Sequence, residues 1–174
     1  MGTEIERKFL LRDSRWRSEV ARSSTLRQGY LAAQPSGTVR VRLDRGQGWL
    51  TIKGPTQGIA RTEFEYPIPE SDAVAMLEEL CVGPILEKTR HVVPFGGLDW
   101  EIDEFLGDNL GLTVAEVELR DVDHCFEPPP WLGREVSGLT RYYNSALVER
   151  PFRNWTSAER RGESESGDVT TRAS

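Results

Sequence analysis

The sequence has no apolar run approaching the roughly 20 residues that a membrane-spanning helix needs, so no such segment is expected. It has two cysteines in 174 residues, Cys81 and Cys125, too few and too far apart for a disulfide framework. Reduced thiols are therefore expected. Its two histidines, His91 and His124, are isolated from one another, and a lone histidine is read as a structural or surface residue rather than a metal ligand. A cationic excess is also missing. Lys and Arg number 22 against 28 Asp and Glu, a net charge of −6, which argues against a general nucleic-acid or membrane-surface binder. Glu4, Glu6, Arg7 and Lys8 occupy the place where a signal peptide has its apolar stretch, so a cytoplasmic protein is expected.

The length suits one domain. From Thr156 onward, "TSAERRGESESGDVTTRAS" carries almost no apolar residues, which predicts a single domain over 1–155 and a disordered tail over 156–174. "EPPP" at 127–130 reads as a rigid connector.

What is abundant is alternation of period two. "EIERKFLL" alternates charged and mostly apolar residues. "TVRVRL" sets Arg40 and Arg42 opposite Val39, Val41 and Leu43. "WLTIKG" sets Lys53 opposite Ile52, and "RTEFEYPI" sets Glu63 and Glu65 opposite Phe64 and Tyr66. "EKTRHVV" carries Lys88 and Arg90, "WEIDEF" Glu101 and Asp103, and "VAEVELR" Glu116 and Glu118. With "TLRQGYLAA" the strands number about eight. Short turn-like links ("QPSG", "RGQG", "GPTQG", "FGG") make the strands antiparallel. Helices are expected over "SDAVAMLEELC", with Ser71 as N-cap and Val74, Leu77 and Leu80 on one stripe, over "DVDHCF", and over 138–148.

One strand with a charged face is ordinary. Seven strands with a charged face, six of them repeating like charges at i, i+2, are not, because such pairs repel unless opposite charges or bound ions compensate. The pattern predicts a mainly β (α+β) fold in which a closed antiparallel barrel of about eight strands turns its charged faces inward. Arg40, Arg42, Lys53, Lys88 and Arg90 suit phosphate oxygens. The carboxylates suit hard divalent cations, which commonly join protein carboxylates to substrate phosphates. Such an interior fits a metal-bound polyphosphate.

Glu4, Glu6 and Lys8 have the form ExExK, and "RQGYL", "TVRVR", "TIKG", "EFEY", "EKTRH", "WEIDEF", "AEVEL" and "RYYNSAL" follow in order. Over about residues 3–150 the chain resembles the CYTH superfamily, the triphosphate tunnel metalloenzymes. The resemblance implies an eight-stranded antiparallel tunnel and a small-molecule triphosphate substrate, with Mg²⁺ or Mn²⁺, two ions per site. It implies phosphate binding by Lys8, Arg40, Arg42, Lys53, Lys88 and Arg90. It also implies metal and water positioning by Glu4, Glu6, Glu63, Glu65, Asp103, Glu116 and Glu118. One metal is expected on Glu116 and Glu118, and a second near Glu4 and Glu6, with Lys8 or Arg141 beside the attacking water. Tyr30 reads equally as tunnel wall or as core. Glu101 reads as a solvated charge at the mouth, Arg27 and Arg134 as surface partners, and Trp100 and Trp131 as packing residues.

Within the family the chain looks most like the inorganic tripolyphosphatases. The alternatives are a class IV adenylyl cyclase, a thiamine triphosphatase, or a module that binds polyphosphate without turnover. A monomer or homodimer, with no nucleic-acid or membrane partner, is expected.

Overall fold

The computed structural model describes residues 2–163. It contains nine strands: β1 (Gly2–Leu11), β2 (Arg22–Gln34), β3 (Gly37–Asp44), β4 (Gln47–Lys53), β5 (Ala60–Ile68), β6 (Leu86–Phe95), β7 (Leu98–Phe105), β8 (Thr113–Glu118) and β9 (Leu132–Glu135). They run in the order β5-β4-β3-β2-β6-β7-β8-β1, every pair antiparallel. Pairing of Gly2–Ile5 with β5 closes the barrel at eight strands. The short β9 pairs with the far half of β1. It follows the proline connector and has no periodicity long enough to announce it.

The tight links follow from local chemistry. Arg45 and Gly46, and likewise Gly96 and Gly97, have positive φ at adjacent positions. This is the two-residue turn whose twist matches a right-handed strand pair.

The outward apolar alternates are covered by two layers. Trp16, from the single-turn segment Arg15–Glu19, packs with Ile5, Phe9, Trp100, Ile102, Ala115, Val117 and Trp131 on one side of the barrel. Trp100 and Trp131 are both fully buried and meet edge to face at 5.6 Å, so they are packing residues. Opposite, α1 (Glu70–Glu79) covers Val41. Of the expected stripe Leu77 is buried, together with Ala73, whereas Leu80 is 59% exposed. The helix sits low on the sheet because Gly48 lies beneath it: a Cβ there would come within 2.7 Å of the Ala73 Cβ. Pro69 rather than Ser71 occupies the N-cap.

Three expectations are corrected. "DVDHCF" is not helical. The Asp121 carboxylate takes the Asp123 N–H at 3.1 Å, the local bond by which Asp favours a turn over a helix. The segment 138–148 divides into a single turn at Thr140–Tyr142 and α2 (Asn144–Glu149), with Tyr143 extended between them. The tail does not begin at 156. Thr156 caps a short helix, α3 (Ser157–Arg160), in a reciprocal capping box with Glu159. Glu159 is 1% exposed and takes two bonds from Arg150. The remaining expected tail, 164–174, lies outside the described residues.

Thr156→Ala is expected to cost about 1 kcal/mol in denaturant unfolding. Hydrogen bonds from Arg150 and from the Thr156 backbone and hydroxyl overcome burial and hold the Glu159 carboxyl at about 2, below its ordinary 4.5. A depressed carboxyl stabilises the fold above its unfolded value and loses that contribution as pH falls. Glu159→Gln should therefore remove stability at neutral pH and flatten the acid loss between 4.5 and about 2.

The barrel interior has two parts. At one end the inward series turns apolar: Leu86, Phe105 and Val114, with Leu10 beside them, pack with Val136, Tyr142, Leu147, Phe152 and Trp155 of the C-terminal segment. This plug closes that end and confines the charged residues to the rest of the interior.

Candidate active site

Inside the charged part lies a cavity of about 430 Å³, lined by seven cationic and eight acidic side chains. Every strand from β1 to β8 contributes, because each places alternate residues inward. β1 supplies Glu4, Glu6 and Lys8; β3 supplies Arg40 and Arg42; β4 supplies Lys53. Glu63 and Glu65 come from β5, Arg90 from β6, Glu101 from β7, and Glu116 and Glu118 from β8. Tyr30 of β2 lines the wall at 6% exposure, and burial raises its phenol.

The opposite charges hold one another. The Lys8 ammonium bridges Glu6 and Glu116. Lys53 contacts Glu4 at 2.8 Å and Glu63 at 2.8 Å. Arg90 spans Asp103 with bonds of 2.7 and 2.7 Å, reaches Glu116 at 3.2 Å, and also contacts Glu101. Arg42 reaches Glu65 at 3.3 Å, and Arg40 reaches the Thr51 hydroxyl at 3.3 Å. The Nε groups of Arg40 and Arg42 are buried without an acceptor.

Protonation follows from these contacts. Burial pushes the Glu4 carboxyl up, but Lys53 and Arg61 outweigh it and hold it at about 2. Burial is likewise outweighed at Glu116, which Lys8, Lys88 and Arg90 keep well below the usual range. Glu6 goes the other way, raised by burial and by the Glu116 charge. Glu118 is raised by burial and by Glu4 and Glu101. Burial lowers Lys8, but Glu116 and Glu6 more than restore it, so it stays a cation.

Several expected residues are placed differently. Lys88 and Asp103 form an ion pair with each other and are 1% and 0% exposed, outside the cavity lining and beside Phe105 of the plug. They support Arg90 from behind. Arg141 does not line the cavity. Its guanidinium donates to the Glu163 carbonyl at 2.6 Å and lies over Tyr142 and Trp155, because Tyr143, not Arg141, turns into the cavity. Glu101 faces the cavity rather than only solvent, tied to Arg90. His91 is structural, bonded to Ser23 at 2.7 Å and Glu104 at 3.0 Å and packed on Trp16. Arg27 pairs with Glu87 at the surface.

Other wall residues were not anticipated: Arg22, Thr38, Arg61, Asp99, Tyr143, Asn144 and Ser145. Arg61 was readable, since it shares the parity of Glu63 and Glu65, and it bonds Glu4 at 2.6 Å. Tyr143 to Ser145 gave no periodic signal.

Among the described residues no group of three or more acidic, His or Cys side chains stands close enough to hold a metal ion. Each carboxylate except Glu118 is instead drawn to a Lys or Arg in this lining. The donor set nonetheless fits a hard cation. All its ligating atoms are carboxylate oxygens, and Glu6 and Glu116 repel across Lys8. With eight acids against seven bases, the lining has no net positive charge of its own to offer a polyanion. Accompanying cations would offset this: phosphates would draw on the Lys and Arg groups, and the carboxylates so released would be the ones to hold a metal.

A closed eight-stranded antiparallel barrel with this inward array of bases and acids defines a CYTH-domain protein, and the chain belongs to the CYTH domain family, which matches residues 2–146. Among its relatives, an inorganic triphosphatase of Acetivibrio thermocellus is 46% identical over 155 residues, 89% of this chain and 99% of that protein. An inorganic triphosphatase of Nitrosomonas europaea is 39% identical over 153 residues, 84% and 97% of the two chains. The crystal structure of an inorganic triphosphatase superimposes with a TM-score of 0.59 at 35% identity, covering 85% of this chain and 95% of that one. No helix among the described residues is long and apolar enough to cross a membrane.

Proposed function

We propose that the protein is a metal-dependent inorganic triphosphatase that hydrolyses tripolyphosphate to pyrophosphate and orthophosphate. The observation that carries this reading is the enclosed cavity with its near-balanced lining of seven cations and eight acids. Near-full-length similarity to two inorganic triphosphatases supports the same substrate. Mg²⁺ or Mn²⁺, two ions per site, would neutralise the phosphates and polarise the bond to be broken. Glu116 and Glu118 would hold one ion and Glu4 and Glu6 the other, with Glu63 and Glu65 completing the acidic wall. Arg40, Arg42, Lys53 and Arg90 bind phosphate oxygens. Lys8, between Glu6 and Glu116, holds the terminal phosphoryl group against the acids. These groups position the substrate and stabilise charge, the main demand of phosphoryl transfer. Small-molecule turnover by a monomer or homodimer in the cytoplasm completes the reading.

Phosphate release from tripolyphosphate, pyrophosphate, thiamine triphosphate and ATP, each with and without Mg²⁺, tests it. Metal-dependent release from tripolyphosphate is expected. Release from none would reject a hydrolase and leave a polyphosphate-binding module, whereas cyclic AMP formed from ATP and Mn²⁺ would favour a cyclase. Arg40→Ala should raise KM for tripolyphosphate about tenfold or more, since it removes a charge-assisted contact of about 1.5–3 kcal/mol. An unchanged KM would remove Arg40 from substrate binding.

A further inference from the structure

Beside the main cavity lies a second, much smaller chamber. It shares Glu4, Glu6, Lys8, Arg61 and Tyr143 with the tunnel, and its far wall is Thr56, Gly58 and Ile59 of the β4–β5 link together with Ser137. Its volume is about 30 Å³. A cavity of roughly 10–15 Å³ holds one water if polar partners are present, so this one takes water. Thr56 and Gly58 are exposed, so the chamber wall is also the protein surface.

We propose that this chamber is a water port, delivering the attacking water to the terminal phosphoryl group while the triphosphate occupies the tunnel. The inference rests on the hydrolase reading above. A phosphate chain gripped in the 430 Å³ cavity displaces the water that it touches, and each turnover consumes one water. That water must arrive opposite the leaving pyrophosphate, in line with the bond that breaks. Arg40, Arg42 and Arg90 line the tunnel and not the chamber, whereas Glu4, Glu6 and Lys8 line both. With Lys8 holding the terminal phosphoryl group, as in the reading above, that end of the chain adjoins the chamber. There the water oxygen bonds to the terminal phosphorus as the bridging P–O bond breaks, and the electron pair departs on pyrophosphate. Orthophosphate keeps one of the water's protons, and the other is released to solvent.

The port is a built feature of the fold. The β4–β5 link is held by reciprocal backbone bonds between Gln57 and Ala60, at 2.8 and 3.1 Å. The Ile59 carbonyl takes the Glu6 N–H at 3.2 Å, and the Ser137 hydroxyl takes the Lys8 N–H at 2.9 Å. Both walls are thus hung from the two residues that the water must reach.

Two obstructing variants test the port. Thr56→Trp places a large ring at the opening. Gly58→Asn keeps the positive φ of 64° that Asn tolerates, and a Cβ there meets nothing within 4 Å. Expected is a fall in kcat, about tenfold for Thr56→Trp and less for Gly58→Asn, with KM for tripolyphosphate and the thermal midpoint unchanged. Thr56→Ser should match the unaltered protein, and calorimetric affinity for tripolyphosphate without metal should not move. Wild-type kcat in both obstructed variants overturns the port, as does a raised KM at constant kcat, which would make the opening a substrate route. Absence of phosphate release by the unaltered protein would instead reject the hydrolase reading, before any variant is compared.

Discussion

Glu116→Gln is expected to lower metal-dependent turnover by about 10²–10³-fold or more, the loss typical of removing one preorganised charge from a transition-state site, while the protein stays folded. Glu116 is 5% exposed and stands at the junction of the two cationic systems, in contact with Lys8 and 3.2 Å from Arg90. Glutamine fills the same volume, so no cavity opens. Lys8 keeps Glu6, and Arg90 keeps Asp103 and Glu101, so no buried cation is stranded. What is lost is one of the negative oxygens that a hard cation requires. The tunnel also becomes one unit more positive, so metal-free binding of tripolyphosphate should be kept or tightened. Phosphate release and calorimetry on the same sample separate the two effects. Turnover near that of the unaltered protein would exclude Glu116 as a metal ligand.

Asp103→Ala is expected to act on stability instead. Asp103 is fully buried against Lys88 and takes both bonds of an Arg90 fork. Its carboxyl is held low, with burial outweighed by Arg90 and Lys88. Burial and Arg90 already press the Lys88 ammonium down to about 8 despite Asp103. Removing the carboxylate leaves two adjacent buried cations, and breaking a buried pair from one side costs about 3–5 kcal/mol. For a chain of this size that lowers the thermal midpoint by roughly 10 °C. A variant with an unchanged midpoint and lost metal affinity would return Asp103 to the ligand set.

The contrast between these two acids shows where sequence reasoning stopped. Both lie on inward parity, Glu116 in "AEVEL" and Asp103 in "WEIDEF", and by alternation alone they are equivalent. They differ in what covers them: Asp103 lies behind Lys88 and Arg90, which occupy both of its oxygens. Leu86, Phe105 and Val114 each lie one inward step from Lys88, Asp103 and Glu116 on their strands and belong to the plug. The Lys88–Asp103 pair sits against that plug, through Phe105, while Glu116 borders the cavity. Arg141 is absent from the cavity lining for a related reason. It was assigned from a segment whose backbone breaks at Tyr143, and a break of one residue decides which side chain faces inward. The end of the domain was misjudged because "TSAERRGE" is polar, yet Glu159 is buried through Arg150 and a capping box, contacts that composition does not register.

By itself the sequence determined the closed antiparallel barrel and the inward charge of its walls, because period-two alternation is local and a one-residue slip would turn every charged side chain to the wrong face. Only the tertiary structure decided which of those charges reach the cavity, which brace it from behind, and where a second opening lies. Those properties depend on the plug, the β4–β5 link and Ser137, whose positions are set by packing between segments far apart in the chain.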